Sequence, residues 1–239
     1  MGILQGEGLF KRFGGLVATD RVDFQIEEGE IIGLIGPNGS GKSTLFNLIS
    51  GAMPLTEGVI KFKGENITGL KPYQICKKGI GRTFQLVNIF GHMTVLENVL
   101  LASQFGIARA SRTFDAVNNA LESLEFVGLD GMQGSLAIEL TIANQKRLEV
   151  ARALATEPDL LLLDEFMAGL NPTEVTQAVD LIGRIRKREI TIFMIEHVMK
   201  AIMGVSDRII VLHYGKKISE GTPEEIAADK MVKEVYLGT

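Results

Sequence analysis

Between the apolar stretch Ile31 to Ile35 and a helix expected to begin at Lys42 lies the run Gly36-Pro37-Asn38-Gly39-Ser40-Gly41-Lys42-Ser43-Thr44. A glycine, four residues, then Gly-Lys-Ser, set between a buried strand and a helix, is the pattern of a phosphate-binding loop. The glycines let backbone N–H groups curl around phosphate oxygens, and the helix N-terminus that follows favours negative charge. Lys42 is placed to reach β- and γ-phosphates, and the Ser43 hydroxyl suits Mg²⁺. The competing reading, a glycine-rich turn without ligand, is disfavoured by the strand before it and the helix after it.

A second element supports the first. Leu160 to Leu163 form an apolar run that ends in two carboxylates, Asp164 and Glu165. Two acids at the end of a buried strand are costly unless they meet a metal or a partner. Alone they read as a solvated turn. Beside a phosphate loop, Asp164 is expected to hold Mg²⁺ and Glu165 to polarise the attacking water as general base.

Along the chain, strand-type runs at Ile3 to Leu9, Val22 to Ile26, Glu30 to Ile35 and Val59 to Phe62 precede a short helix at Pro72 to Lys78. From about Thr94 to Leu154 the spacing turns helical, with Phe114, Val117, Leu121 and Leu124 on one face and Gly128 able to end that helix. Strands return at Leu160 to Leu163, Ile190 to Ile195 and Arg208 to Leu212, separated by helices at Pro172 to Arg188 and Val198 to Val205. Asn171, Pro172 and Glu174 form a helix-start signal. Pro223 and Glu224 start a short helix in the tail. Such alternation implies a mainly parallel sheet.

Composition narrows the classes. The 239 residues are 46% hydrophobic and 23% charged, an ordinary globular balance, and the net charge of −4 gives no basic field for nucleic acid. No nucleic-acid partner is expected. A single cysteine, Cys76, excludes an internal disulfide framework and a multi-cysteine zinc site, which suits a reducing cytoplasm. No secretory signal is evident, and every apolar stretch is far short of the ~20 residues of a membrane helix. Any membrane link is therefore expected to run through a partner.

Four further segments make the chain, from about Ile3 to Gly238, resemble the ATP-binding cassette (ABC) family. Arg82-Thr83-Phe84-Gln85 is similar to the glutamine loop, which implies that Gln85 contacts Mg²⁺ and the attacking water and that the residues after it face membrane subunits. Ala168-Gly169-Leu170-Asn171 resembles the loop that crosses the dimer interface, and Ile195-Glu196-His197 the switch histidine that senses the γ-phosphate. Phe13 sits where an aromatic side chain stacks on adenine. The resemblance implies an α/β fold: a P-loop NTPase (RecA-type) core with an antiparallel β subdomain and an inserted helical subdomain. One nucleotide-binding domain would span residues 1–239, with 1–87 and 156–239 forming the core and β subdomain and 88–155 the helical subdomain. It also implies ATP and Mg²⁺ as ligands, and a head-to-tail pair with a second cassette. Integral permease subunits would dock in a groove near Gln85 to Asn98, with a solute-binding protein acting indirectly. The chain would then lie on the cytoplasmic face of the inner or plasma membrane.

Where the family's signature segment reads Leu-Ser-x-Gly-Gln, this chain reads Leu140-Thr141-Ile142-Ala143-Asn144-Gln145. In the family this segment caps the γ-phosphate of ATP on the other subunit. Thr141 keeps a hydroxyl and an N-cap, and Ala143 adds a Cβ that is sterically acceptable if the residue lies in the first helical turn with negative φ. Phe166, where proline usually follows the glutamate, is a second departure. The closing Tyr236-Leu237-Gly238 and the Arg82 to Gln85 and Asn171 to Glu174 segments look like the ATP-binding subunits of branched-chain amino-acid importers. Two alternatives stand beside that reading: a nucleotide-binding partner subunit with weak hydrolysis, motivated by Thr141 and Ala143, and a soluble cassette ATPase acting on nucleic acid or ribosomes.

Overall fold

The computed structural model describes residues 2–85, 87–105 and 113–237; Leu86, Gly238 and the side chains of Phe114 and Leu237 lie outside the described residues. The chain opens with a hairpin of β1 (Gly2–Phe13) and β2 (Leu16–Glu27), then β3 (Ile31–Ile35), α1 (Lys42–Ile49), β4 (Glu57–Phe62) and β5 (Glu65–Asn66). It continues through α2 (Pro72–Lys78), β6 (Ile80–Arg82), α3 (Val95–Ser103), α4 (Thr113–Val127) and α5 (Ile142–Leu154). The remainder is β7 (Leu160–Asp164), α6 (Pro172–Arg186), β8 (Thr191–Ile195), α7 (Met199–Val205), β9 (Arg208–His213), β10 (Lys216–Gly221), α8 (Pro223–Ala228) and α9 (Lys230–Leu237).

Two sheets organise these elements. One is four-stranded, in the order β2-β1-β4-β5, and wholly antiparallel. The other is six-stranded, in the order β10-β9-β3-β8-β7-β6, parallel except for the β9–β10 pair. Every residue of β3, β7 and β8 is buried, as expected for strands covered on both faces. Successive side chains of β7 take opposite faces: Leu161 and Leu163 join the core under α3 to α6, while Leu160 and Leu162 join Phe46, Phe193 and the four-stranded sheet. The strand ends that carry the chemistry are thereby locked between two hydrophobic layers.

Several expected elements differ in extent. β1 and β2 are each 12 residues, longer than the apolar cores Ile3 to Leu9 and Val22 to Ile26, because the hairpin ladder continues past the buried half through Lys11↔Thr19 and Phe13↔Leu16. Gly14, at φ 56, makes the turn between them. β6 and β10 were not expected: Ile80–Arg82 is a strand through pairing with β7, and Lys216–Gly221 is a polar edge strand on β9. The helix starts are as expected at Lys42 and Pro172, and Asn171 accepts from both Thr173 and Glu174 N–H groups at 3.0 Å. Gly128, at φ 76, follows the last residue of α4.

Candidate functional site: a phosphate loop facing two strand-end carboxylates

The loop from Gly36 to Gly41 turns back on itself between β3 and α1, and glycine is required at both ends. At Gly36 a Cβ would stand 2.2 Å from the Leu212 carbonyl oxygen, and at Gly41, φ 106, 2.4 Å from that of Ala18. α1 has neither a side-chain N-cap nor an acidic residue in its first turn, so its leading N–H groups are left for a ligand. Lys42 folds over the loop: its Nζ donates to the carbonyls of Gly36 at 2.6 Å and Pro37 at 3.0 Å. Burial lowers its pKa, while Glu165 and Asp164 pull the other way.

A cleft of about 390 Å³ is lined by Phe13, Asn38, Gly39, Ser40, Gly41, Lys42, Ser43, Thr44, Gln85, Glu165 and His197, together with Leu16, Val17 and Ala18. The structure thus brings together most of the residues expected from the sequence. Phe13, 45% exposed, stands at its rim with Lys11 Nζ 5.0 Å from the ring centroid. Gly36 and Pro37 lie at the back of the loop as acceptors of Lys42. Ser43, Gln85 and Asp164 meet in an adjoining cavity of about 440 Å³. Thr141 and Ala143 line neither: they sit at the start of α5, where Thr141 Oγ1 caps the Asn144 N–H at 3.3 Å and Ala143 occupies the first helical turn, outside the positive-φ residues.

Glu165 is held from three sides. Gln85 Nε2 donates to its Oε2 at 3.1 Å, and His197 Nε2 lies 3.0 Å from its Oε1. Its backbone is in the left-handed region at φ 52, a conformation that costs a non-glycine residue about 1–3 kcal/mol and persists only where the surroundings enforce it. Here Glu165 N–H donates to Ile195 O at 2.9 Å, and Lys146 Nζ, reaching over from α5, donates to Glu165 O at 2.8 Å. Glu196 accepts the Met167 N–H at 2.7 Å in the same turn.

Asp164 is 2% exposed and pairs through Oδ2 with Arg82 Nη2 at 3.0 Å, while its Oδ1 is buried with no partner among the described residues. Burial raises the Asp164 pKa and Arg82 opposes that rise. A divalent cation fits this donor set: a buried, unpartnered carboxylate oxygen, a serine hydroxyl and an amide in one cavity, with room for substrate phosphates to supply the rest.

Four charged residues were missed by sequence reasoning as parts of this site: Arg82 in its pairing role, Lys146, Glu149 and Glu196. Glu196 had a readable signal, since it follows the apolar Thr191–Ile195 strand as Asp164 ends its own. Its carboxyl is pushed up to about 7 by burial, against the Met167 N–H. Glu149, on α5, is likewise pushed up to about 7 by burial, although it accepts the Asn88 N–H at 2.8 Å. A carboxyl whose folded pKa exceeds its unfolded value binds its proton more tightly in the native state. Its contribution is full below pH ~4.5 and is lost as pH rises through about 7, a change of roughly 3 kcal/mol per group. Glu149→Gln is expected to flatten the fall in thermal stability between pH 5 and pH 8, measured by calorimetry; an unchanged slope would place the loss elsewhere.

A phosphate loop, a facing pair of strand-end carboxylates and a glutamine and histidine that converge on the second carboxylate define an ATP-binding cassette. The family described as ABC transporter matches residues 19–168, and that described as branched-chain amino acid ATP-binding cassette transporter matches residues 216–239. The chain belongs to the ABC transporter family, as one of its ATP-hydrolysing cassettes. It is 41% identical to the high-affinity branched-chain amino acid transport ATP-binding protein LivG of Salmonella typhimurium, over 99% of this chain and 98% of that protein. It is 39% identical to BraF of Pseudomonas aeruginosa, which carries the same description, over 99% and 98%. Among solved structures, a nucleotide-free ATP-binding cassette from an ABC transporter matches with TM-score 0.90 and 32% identity, covering 100% of both chains. A dimeric cassette in a post-hydrolysis state, bound to ADP and Pi, matches with TM-score 0.83 and 27% identity over 92% of this chain and 98% of that one. No helix among the described residues is long and apolar enough to cross a membrane.

Proposed function

We propose that this chain powers an importer of branched-chain or similar amino acids by hydrolysing ATP sandwiched between two cassettes, with Glu165 as the general base. The convergence of Gln85 and His197 on the two oxygens of Glu165 carries this reading. Those contacts hold the carboxylate towards the loop, where it accepts the proton of the water that attacks the γ-phosphorus as the bond to ADP breaks. Lys42 and the first N–H groups of α1 hold the phosphates, and Phe13 stacks on the base. Ser43, Asp164 and Gln85 would hold Mg²⁺, which when bound supplies charge neutralisation at the β- and γ-oxygens. His197 senses the γ-phosphate through the same carboxylate.

Thr141 and Ala143 act on the nucleotide of a second cassette. The helical placement of Ala143 supports this, because a methyl group in the first turn of α5 projects without backbone strain. The core is residues 1–87 and 156–239, including the β subdomain, and residues 88–155 form the helical subdomain. Between them, a groove of about 310 Å³ is lined by Pro72, Ile75, Arg82, Phe84, Ala102 and Arg152, among others. Phe84, 46% exposed, lines it, and Phe90, 45% exposed, packs on the groove residue Arg152, whose guanidinium carbon lies 4.9 Å from the ring centroid; the two rings suit a cytoplasmic helix of an integral permease subunit. A solute-binding protein delivers the amino acid on the other side of that permease, and the cassette works on the cytoplasmic face.

One observation favours a second reading, a partner subunit of weak hydrolysis: the methyl group of Ala143 stands where glycine is usual. Steady-state Mg-ATP hydrolysis against protein concentration separates the two. A rate rising more than linearly, with Ala143→Gly changing it by no more than about 3-fold, is expected if this chain builds its own sandwich. A parent that binds ATP without turnover, recovered by Ala143→Gly, would move the assignment to the second reading.

A further inference from the structure

Arg82 and Phe84 both line two cavities: the groove that also holds Pro72 and Ile75, and the cavity that holds Ser43 and Asp164. The Arg82 side chain is nine-tenths buried, and two of its three guanidinium nitrogens are engaged. Nη2 meets Asp164 Oδ2 at 3.0 Å, and Nη1 donates to Asn47 Oδ1 at 2.8 Å and Ser50 Oγ at 2.6 Å on α1, the helix that begins at Lys42. Its flat face lies 5.3 Å from the centroid of Phe84 and 5.9 Å from that of Phe46. Phe46 is fully buried, so that side is fixed; Phe84 is 46% exposed and borders both cavities.

We infer that Arg82 is a positioning residue that ties the docking groove to the metal-binding carboxylate, so that contact at Phe84 is felt at Asp164. The inference rests on the reading that Asp164 holds Mg²⁺ and that the permease docks in the groove. By taking Oδ2, the guanidinium fork leaves Oδ1, buried and without a partner among the described residues, as the oxygen left for a ligand. The same fork is anchored to α1, so the carboxylate is referenced to the helix that carries Ser43. Phe84 is the one ring in the stack that a docked partner can move. Lysine would keep the charge but, as a point donor, could not hold three acceptors in one plane while stacking on two rings.

The test is Mn²⁺ binding to the ADP-bound full-length chain, followed by electron paramagnetic resonance, beside metal-free ADP binding. Arg82→Lys is expected to weaken Mn²⁺ about tenfold and metal-free ADP less than about twofold. Phe84→Ala, an exposed change, is expected to weaken Mn²⁺ about threefold in the parent and to have no further effect in the Arg82→Lys background. If Arg82→Lys does not fold, Asn47→Ala, which removes one anchor of the fork, takes its place in the cycle. Effects of Phe84→Ala that are absent in the parent, or equal in both backgrounds, would overturn the inference while leaving the metal site intact. Asp164→Asn separates the two levels: if it leaves Mn²⁺ affinity unchanged, the metal reading fails and the inference falls with it.

Discussion

Glu165→Gln should lower ATP turnover by about 10²–10⁴-fold while leaving nucleotide binding within a few-fold of the parent. The amide is close in size to the carboxylate and keeps one oxygen able to accept from Gln85, so the geometry of the turn survives. What it loses is the capacity to take a proton. Removing the carboxylate charge also lifts repulsion against the γ-phosphate, so ATP-bound pairs should accumulate; size-exclusion chromatography with Mg-ATP would show the variant as a dimer where the parent returns to monomer. Turnover close to the parent's would remove Glu165 as the base. The likeness to a dimeric cassette bound to ADP and Pi makes the dimer readout the natural companion to the rate.

The neighbours of Glu165 add a reason to keep the backbone contribution apart from the side chain's. Its left-handed conformation is enforced by Lys146 from α5, the helix whose first turn holds Thr141 and Ala143. A variant of Lys146 would therefore disturb the position of Glu165 without changing its carboxyl group.

The local signals in the sequence located the phosphate loop, the Leu160 to Glu165 strand end and the α6 cap, because each packs its structural reason into a few consecutive residues. The loop's glycines answer to close backbone approaches, and the apolar run before Asp164 answers to burial on both faces. Other elements lack such a signal. β6 is a three-residue strand by virtue of β7 alongside it, and Ile80-Gly81-Arg82 alone reads as nothing in particular. β10 reads as polar because its strand lies at the edge of the sheet. Arg82 stood inside a recognised segment, yet its role depends on a carboxylate 82 residues further on, a pairing that no local pattern encodes. The perturbed carboxyls of Glu149 and Glu196 follow from burial against neighbouring elements, which spacing on one helix or strand does not express.

The Arg82–Asp164 pair poses the sharper energetic question. With side chains 10% and 2% exposed, both ions have left water, and Coulomb attraction offsets that only where the remaining polar atoms are satisfied. They are not: Arg82 Nε and Asp164 Oδ1 have no partner among the described residues. Breaking the pair from one side leaves a buried, uncompensated charge, so Arg82→Met should lower unfolding free energy by about 3–5 kcal/mol. Asp164→Leu should cost about as much, less whatever Asn47 and Ser50 still give the guanidinium. The double variant Arg82→Met with Asp164→Leu should recover most of the loss, since Phe46 and Leu162 offer apolar surroundings to both new side chains. Urea denaturation of the four proteins closes the cycle. A double variant as unstable as either single one would mean that the pair stabilises the fold in its own right. Recovery would mean that the fold carries the pair at little net gain, and that what the pair does is hold the Asp164 carboxylate in place.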